Sequence, residues 1–296
     1  MQLSYQHAIN AIKLLYQHSG FDLPKQALGE QVANEFKAEA CESKLGALYA
    51  FVDEQIALLR LVSWYFLSAF KDGDERPMVF YQMTIFHLKT LSSIRLLCTH
   101  GLDTNARLQL RLLFENSLLW SRFRVEPTAL NQYSKCADPM AANAYWHKYM
   151  SKSKIESFLS DEFKASGHIW LGGIDEMIFE LKEKVGLVAH PTFIASKFES
   201  NQDWNKQDER FALSSPSVAS HFTLSQAVFV AAIPFSIKPE PSYQFESANL
   251  LDLQQPLKPL PHSTTSWNEY NQHLRDMIPK LFLMSRRFSD ALLSET

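Results

Sequence analysis

Glycine is scarce in this chain, at 9 residues of 296. A turn-rich β architecture uses glycine at many tight turns, so the scarcity, together with long apolar periodic runs, argues for helices. Cysteine is scarcer still. The three cysteines, Cys41, Cys98 and Cys136, lie far apart and form no C-x-x-C pair. That argues against a disulfide framework or a thiolate metal cluster and fits a reducing compartment. Each is expected as a small buried hydrophobe. Excess basic charge is missing too: a net charge of −3 and a pI near 6.4 give no global attraction to nucleic acid or to an anionic membrane.

No charge-free apolar run reaches the ~20 residues of a membrane span. The most apolar run, Ile56 to Phe70 (IALLRLVSWYFLSAF), is interrupted by Arg60 and preceded by Asp53 and Glu54. It is expected as a buried core helix. The opening residues MQLSYQHAINAIK lack a basic start followed by an apolar stretch. No membrane association and a cytoplasmic location are therefore expected. Catalytic signatures are also lacking. There is no P-loop, no G-x-S-x-G elbow and no H-E-x-x-H pair, and Gly172-Gly173 matches no dinucleotide fingerprint. The histidines are scattered, so no metal and no other cofactor is expected.

What is present is apolar and periodic. A hydrophobic fraction of 46%, with 21 phenylalanines, is enough for a sizeable core. Spacings of three and four predict helices over about 2–18, over 26–70 with a break near Gly46, and from Pro77 to about Thr99. Gly101 is placed for a left-handed cap, and Asp103 or Thr104 for capping the next helix, Gly101 to Arg124. Less regular helical stretches follow Pro127. SKSKIESFLSDEFKASG reads as a solvated helix, and Trp170 to Lys184 as another. Ser215-Pro216 opens a helix to about Ile233, and a last helix covers about Ser266 to Leu293 with Pro279 inside it. Between them, residues 234–263 hold six prolines and read as an extended segment.

The expected fold is all-α: a multi-helix bundle of long antiparallel helices with a Pro-rich extended segment near the C-terminus. One domain over 1–296 is expected, divided into an N-terminal helical extension (1–70), a core bundle (71–233), the Pro-rich segment (234–263) and a C-terminal helix (264–296). Apolar faces in excess of what one bundle buries would favour a homodimer.

The stretch Gly101 to Arg124, GLDTNARLQLRLLFENSLLWSRFR, is apolar around most of its circumference. At ~100° per residue, Arg107, Arg111 and Glu115 form a line along one side, continued by Leu118 and Arg122. Two readings stand. The line is a solvent-facing stripe holding an i,i+4 ion pair, or it lines an internal polar cleft in which each charge needs a partner.

Gly101-Leu102-Asp103, then Ala106, then Arg111-Leu112-Leu113-Phe114-Glu115 resembles an uncharacterised bacterial family of helical proteins. Its members carry a Gly, an Ala and an Arg-x-Leu-x-Glu helix, and many carry a later His. His190 in VGLVAHPTF is similar to that second element, and the resemblance covers roughly residues 80–200. The resemblance implies a pocket shared by Arg111, Glu115 and His190; the line along the helix adds Arg107 as a further binding residue. Histidine would move protons near neutral pH, arginine would hold a phosphate or carboxylate, and Glu115 would orient either. Two functions follow. One is a ligand-binding, regulatory or defence-associated protein. The other, through a distant similarity to HEPN-like nucleases, is a metal-independent ribonuclease with His190 as acid/base and Arg111 on the phosphate. Those nucleases carry Arg and His in one short R-x(4–6)-H motif, whereas Arg111 and His190 are far apart here. RNA is a partner under that second function alone.

Overall fold

Helix α1 (Tyr5–His18) starts at Ser4, whose hydroxyl accepts the His7 N–H while His7 reaches back to the Ser4 backbone, a reciprocal cap. It buries Ala8, Ile9, Ile12 and Tyr16. The computed structural model describes residues 4–19, 28–35, 45–69, 74–136, 138–151, 154–165, 181, 183, 218–236 and 267–294. Among them every element is helical and no strand occurs, as the periodicity predicts. Two features of the sequence reading, His190 and the Pro-rich segment beyond Ser236, lie outside the described residues, as does the 170–184 helix apart from Leu181 and Glu183.

After α1 come α2 (Leu28–Glu35), α3 (Gly46–Ser68), α4 (Arg76–Thr99) and α5 (Asp103–Val125). Then follow α6 (Pro127–Tyr133), α7 (Pro139–Tyr149) and α8 (Lys154–Ala165). The last two are α9 (Val218–Ala232), which runs into a 3-10 turn over Ile233–Ser236, and α10 (Trp267–Ser294). Pro279 sits inside α10. None of the described helices is long and apolar enough to cross a membrane.

Helix α3 is the hub. It packs against α1, α2, α4, α9 and α10, and every side chain from Ala47 to Leu59 is buried. A helix buried on all sides is stable only when surrounded, and each large aliphatic buried there contributes ~1.5–3 kcal/mol. The stretch 46–68 is thus at the centre of the packing, not at its edge. Helix α5 is the second hub, against α4, α8, α9 and the 3-10 turn. Its Trp120 is fully buried and meets the rings of Phe66, His87 and Phe235 edge-on.

Helices α4 and α5 form an antiparallel hairpin. Gly101 has φ 67°, the left-handed region. The Leu102 N–H returns to the Leu97 carbonyl at 2.9 Å and the Gly101 N–H to Cys98 at 3.2 Å, which closes α4 with a Schellman motif. Asp103 does not cap α5. The helix begins after Leu102 with no side-chain cap bond. The Asp103 carboxylate is instead committed to α9, accepting from Ser220 Oγ at 2.5 Å. Helix α8, expected as solvated, is only half so. Lys154, Ser157 and Asp161 are exposed, but Ile155 and Leu159 are buried. Its Phe158 ring lies 4.5 Å from the Arg122 guanidinium, and Tyr149 lies 4.6 Å from it, so Arg122 pins α7 and α8 to α5.

Candidate functional site

The line Arg107–Arg111–Glu115 on α5 is not uniform in the folded protein. Arg111 Nε donates to Glu115 Oε1 at 3.0 Å, with the two side chains 42% and 32% exposed. This middle pair is the solvent-facing i,i+4 ion pair, a contact worth ~0.3–0.5 kcal/mol. Leu108 and Leu112 beside it are also exposed. Both ends of the line are covered. Arg107 is buried, its guanidinium 5.3 Å from the Phe222 ring centroid. Burial pushes its pKa down and the Asp103 charge opposes that. Leu118 is buried, and Arg122 is paired with Glu126 at 2.6 Å. Arg111 and Glu115 are therefore brought together. Arg107 lies inward of them, and His190 is outside the described residues.

The larger polar groupings are internal. Asp53, Glu54 and Gln55 are consecutive in the middle of α3, and all three are 0% exposed. Three successive residues cover about 200° of a helix, so a surrounded helix must bury all of them. Asp53 accepts from Arg95 Nε at 2.6 Å and from Arg95 Nη2 at 3.2 Å, and its second oxygen also accepts from the Tyr5 hydroxyl at 3.2 Å. Burial pushes the Asp53 carboxyl up, while the Arg95 hydrogen bonds and charge pull it down. Glu54 accepts the Tyr16 hydroxyl, and the Gly29 N–H at 2.6 Å. Gln55 differs: neither end of its amide has a hydrogen-bond partner among the described residues.

A serine, a histidine and an asparagine form a second grouping between α4, α5 and α9. His87 Nε2 lies 2.8 Å from Ser117 Oγ, and Asn116 Nδ2 lies 2.5 Å from His87 Nδ1. The set resembles a nucleophile–base–orienter relay, but its protons run the wrong way. Ser117 Oγ donates to the Val230 carbonyl at 2.8 Å, so it accepts from His87, whose proton sits on Nε2. Asn116 then donates to Nδ1. All three links are satisfied without a base free to take the serine proton. His87 is fully buried, and burial pushes its pKa down to about 3. The relay fastens three helices and is closed to substrate.

The third grouping joins α4, α5 and α9 at the hairpin turn: Cys98, Asp103, Arg107 and Ser220. Cys98 is buried, and burial with the Asp103 charge pushes its thiol up, which makes it unreactive. Among the described residues no His, Cys, Asp and Glu side chains cluster in a way that would hold a metal ion.

Comparison with protein-family models, with known proteins and with solved structures finds no match. Function is therefore read from the geometry. Buried charges that are paired and hydrogen-bonded to other side chains fix helix positions, and they are in no position to meet a substrate. The chemistry open to solvent on the α4–α5 hairpin includes the Arg111–Glu115 pair and the leucines next to it, with Lys89 and His100 exposed on the α4 side. The internal groupings escaped the sequence reading, although one signal was there: three adjacent polar residues, Asp53 to Gln55, lie within a periodic apolar stretch.

Proposed function

We propose that this chain is a helical recognition protein, of the ligand-binding, regulatory or defence-associated kind that the Gly101–Glu115 resemblance implies. It acts by binding through the outer face of the α4–α5 hairpin and carries out no reaction of its own. The observation that carries this reading is the contrast between polar pairs. Asp53–Arg95 and His87–Ser117 are sealed and satisfied, whereas Arg111–Glu115 is half-exposed beside exposed Leu108 and Leu112. Exposed apolar side chains rimmed by polar and charged groups are the usual make-up of a recognition surface.

The test is site-specific crosslinking in cells. A photo-reactive phenylalanine at position 112 is expected to give a discrete covalent adduct, and one at Met140, 84% exposed on α7, to give none. Absence of an adduct at 112 overturns the reading.

One observation favours ribonuclease activity as a second reading: the Arg111 side chain, although paired with Glu115, is 42% exposed and within reach of an incoming phosphate. Incubation of the full chain with labelled RNA in the presence of a chelator separates the two. Intact RNA is expected. Cleavage by the wild type that disappears in His190→Ala and Arg111→Ala would replace recognition by catalysis.

A further inference from the structure

We propose that the occupant of the α4–α5 outer face is a second copy of this chain, docked about a two-fold axis so that α5 runs antiparallel to its counterpart. The inference rests on the recognition reading above and names its partner.

The first support is where apolar surface is left open. Among the described residues, the exposed large hydrophobics are concentrated on this hairpin: Phe86 and Leu96 on α4, Leu102 at the turn, Leu108 and Leu112 on α5. The others, Leu14, Leu67, Met140 and Trp146, are spread over α1, α3 and α7. Two of these hairpin residues also share a level. His87 meets Ser117 across the hairpin. Leu96 lies nine residues beyond His87, and Leu108 nine residues before Ser117, so antiparallel pairing places Leu96 beside Leu108. Leu112 is one turn further along the same face as Leu108.

The second support is charge. A surface of one sign calls for a partner of the other, whereas the α5 side of this face carries one arginine and one glutamate a single turn apart, with Lys89 exposed on the α4 side. Such a pattern is its own complement when reversed. A two-fold axis at the level of Leu113, midway between positions 111 and 115, sets Arg111 against Glu115 of the partner subunit, and Glu115 against Arg111 of the partner subunit. Leu112 then meets its own counterpart near the axis. Two αα-hairpins packed in this way make an antiparallel four-helix arrangement, in which exposed apolar positions of each hairpin become the seam. The face holds no run of lysine and arginine of the kind nucleic acid would require.

The test is the mass of the full chain in solution, by sedimentation or light scattering over a range of concentrations. A dimer is expected for the wild type. Leu108→Asp with Leu112→Asp is expected to give a monomer with unchanged helical circular dichroism. Arg111→Glu alone and Glu115→Arg alone should each weaken association by about tenfold or more, since each sets like charges face to face. Mixing those two variants should restore a heterodimer, although neither chain retains its own Arg–Glu pair. That rescue separates pairing between chains from pairing within one helix. A monomeric wild type, a dimer indifferent to the leucine substitutions, or a mixture that fails to associate overturns the proposal. The crosslink at position 112 keeps the two levels apart. An adduct whose mass is not twice that of the chain overturns self-association and leaves recognition standing, whereas no adduct removes both.

Discussion

Arg95 on α4 donates to both oxygens of the Asp53 carboxylate on α3, at 2.6 and 3.2 Å, and neither side chain is more than 1% exposed. The pair locks two extensively packed neighbours among the described helices. Tyr5 extends the lock to α1 through its hydroxyl on Asp53, and the Arg95 guanidinium also lies 5.3 Å from the Tyr49 ring centroid. The neighbouring Glu54 repeats the device toward α1 and α2. The helices that open the chain are thus tied to its centre by buried charge as well as by apolar packing.

Breaking that pair from one side should cost more than removing it. Asp53→Asn leaves the Arg95 charge buried against a neutral amide, and a loss of about 3–5 kcal/mol is expected. Asp53→Leu combined with Arg95→Met removes both charges and should cost clearly less than the sum of the single substitutions. Urea denaturation of the four proteins as a double-mutant cycle gives the coupling. Strict additivity would mean that the pair does not hold the helices together.

Gly29 is required by closeness and not by backbone conformation. A Cβ there would stand 2.7 Å from the Glu54 nitrogen and 2.8 Å from its Oε2, nearer than real Cβ atoms come. The same approach lets the Gly29 N–H reach Glu54. Gly29→Ala should push α2 off α3 and destabilise the protein by about 1–3 kcal/mol. Outside such a contact the same change in a helix would stabilise. A melting temperature that rises in Gly29→Ala would contradict the packing.

Gln55 makes the opposite prediction. An amide buried without partners costs ~1–3 kcal/mol, and methionine has nearly its shape. Gln55→Met should therefore raise stability in denaturant titration, a rare direction for a core substitution. A loss of stability would show that the amide is paired in solution.

How much of this was legible follows from what periodicity reports. Apolar spacing located α1, α3, α4, α5 and the helix after Pro216, because one buried face is enough to set a helix period. The glycine cap at Gly101 was legible because only a residue tolerating φ 67° closes α4 in that way. Partner choice was not. Asp103 has the chemistry of a cap, yet it serves Ser220 117 positions later in the chain, and no local rule reports that. The line on α5 was visible as a line. That Arg107 is buried while Arg111 is half-exposed depends on where α9 lies, which the spacing on α5 does not contain.

His87 gives the pH dependence with its sign. In the folded protein its pKa is pushed from 6.5 down to about 3 by burial. The unfolded chain therefore takes up a proton below about pH 6.5 that the folded chain refuses until about pH 3. Protons then favour unfolding, and stability contributed by neutral His87 is present above pH 6.5 and lost as pH falls through that window. Carboxylates also titrate there, so the wild type alone is a poor reporter. His87→Asn removes the titration and the relay to Ser117 while leaving the carboxylates in place. Near pH 7 this variant should be destabilised by a few kcal/mol, about the cost of a disrupted buried network. The difference from wild type should shrink steadily as pH is lowered toward 4, because the wild type alone carries the histidine penalty. Denaturant titrations of both proteins at several pH values measure that difference. A gap that stays constant from pH 7 to about 4 would mean that His87 is protonated alike in both states, and the closed relay between α4, α5 and α9 would have to be abandoned.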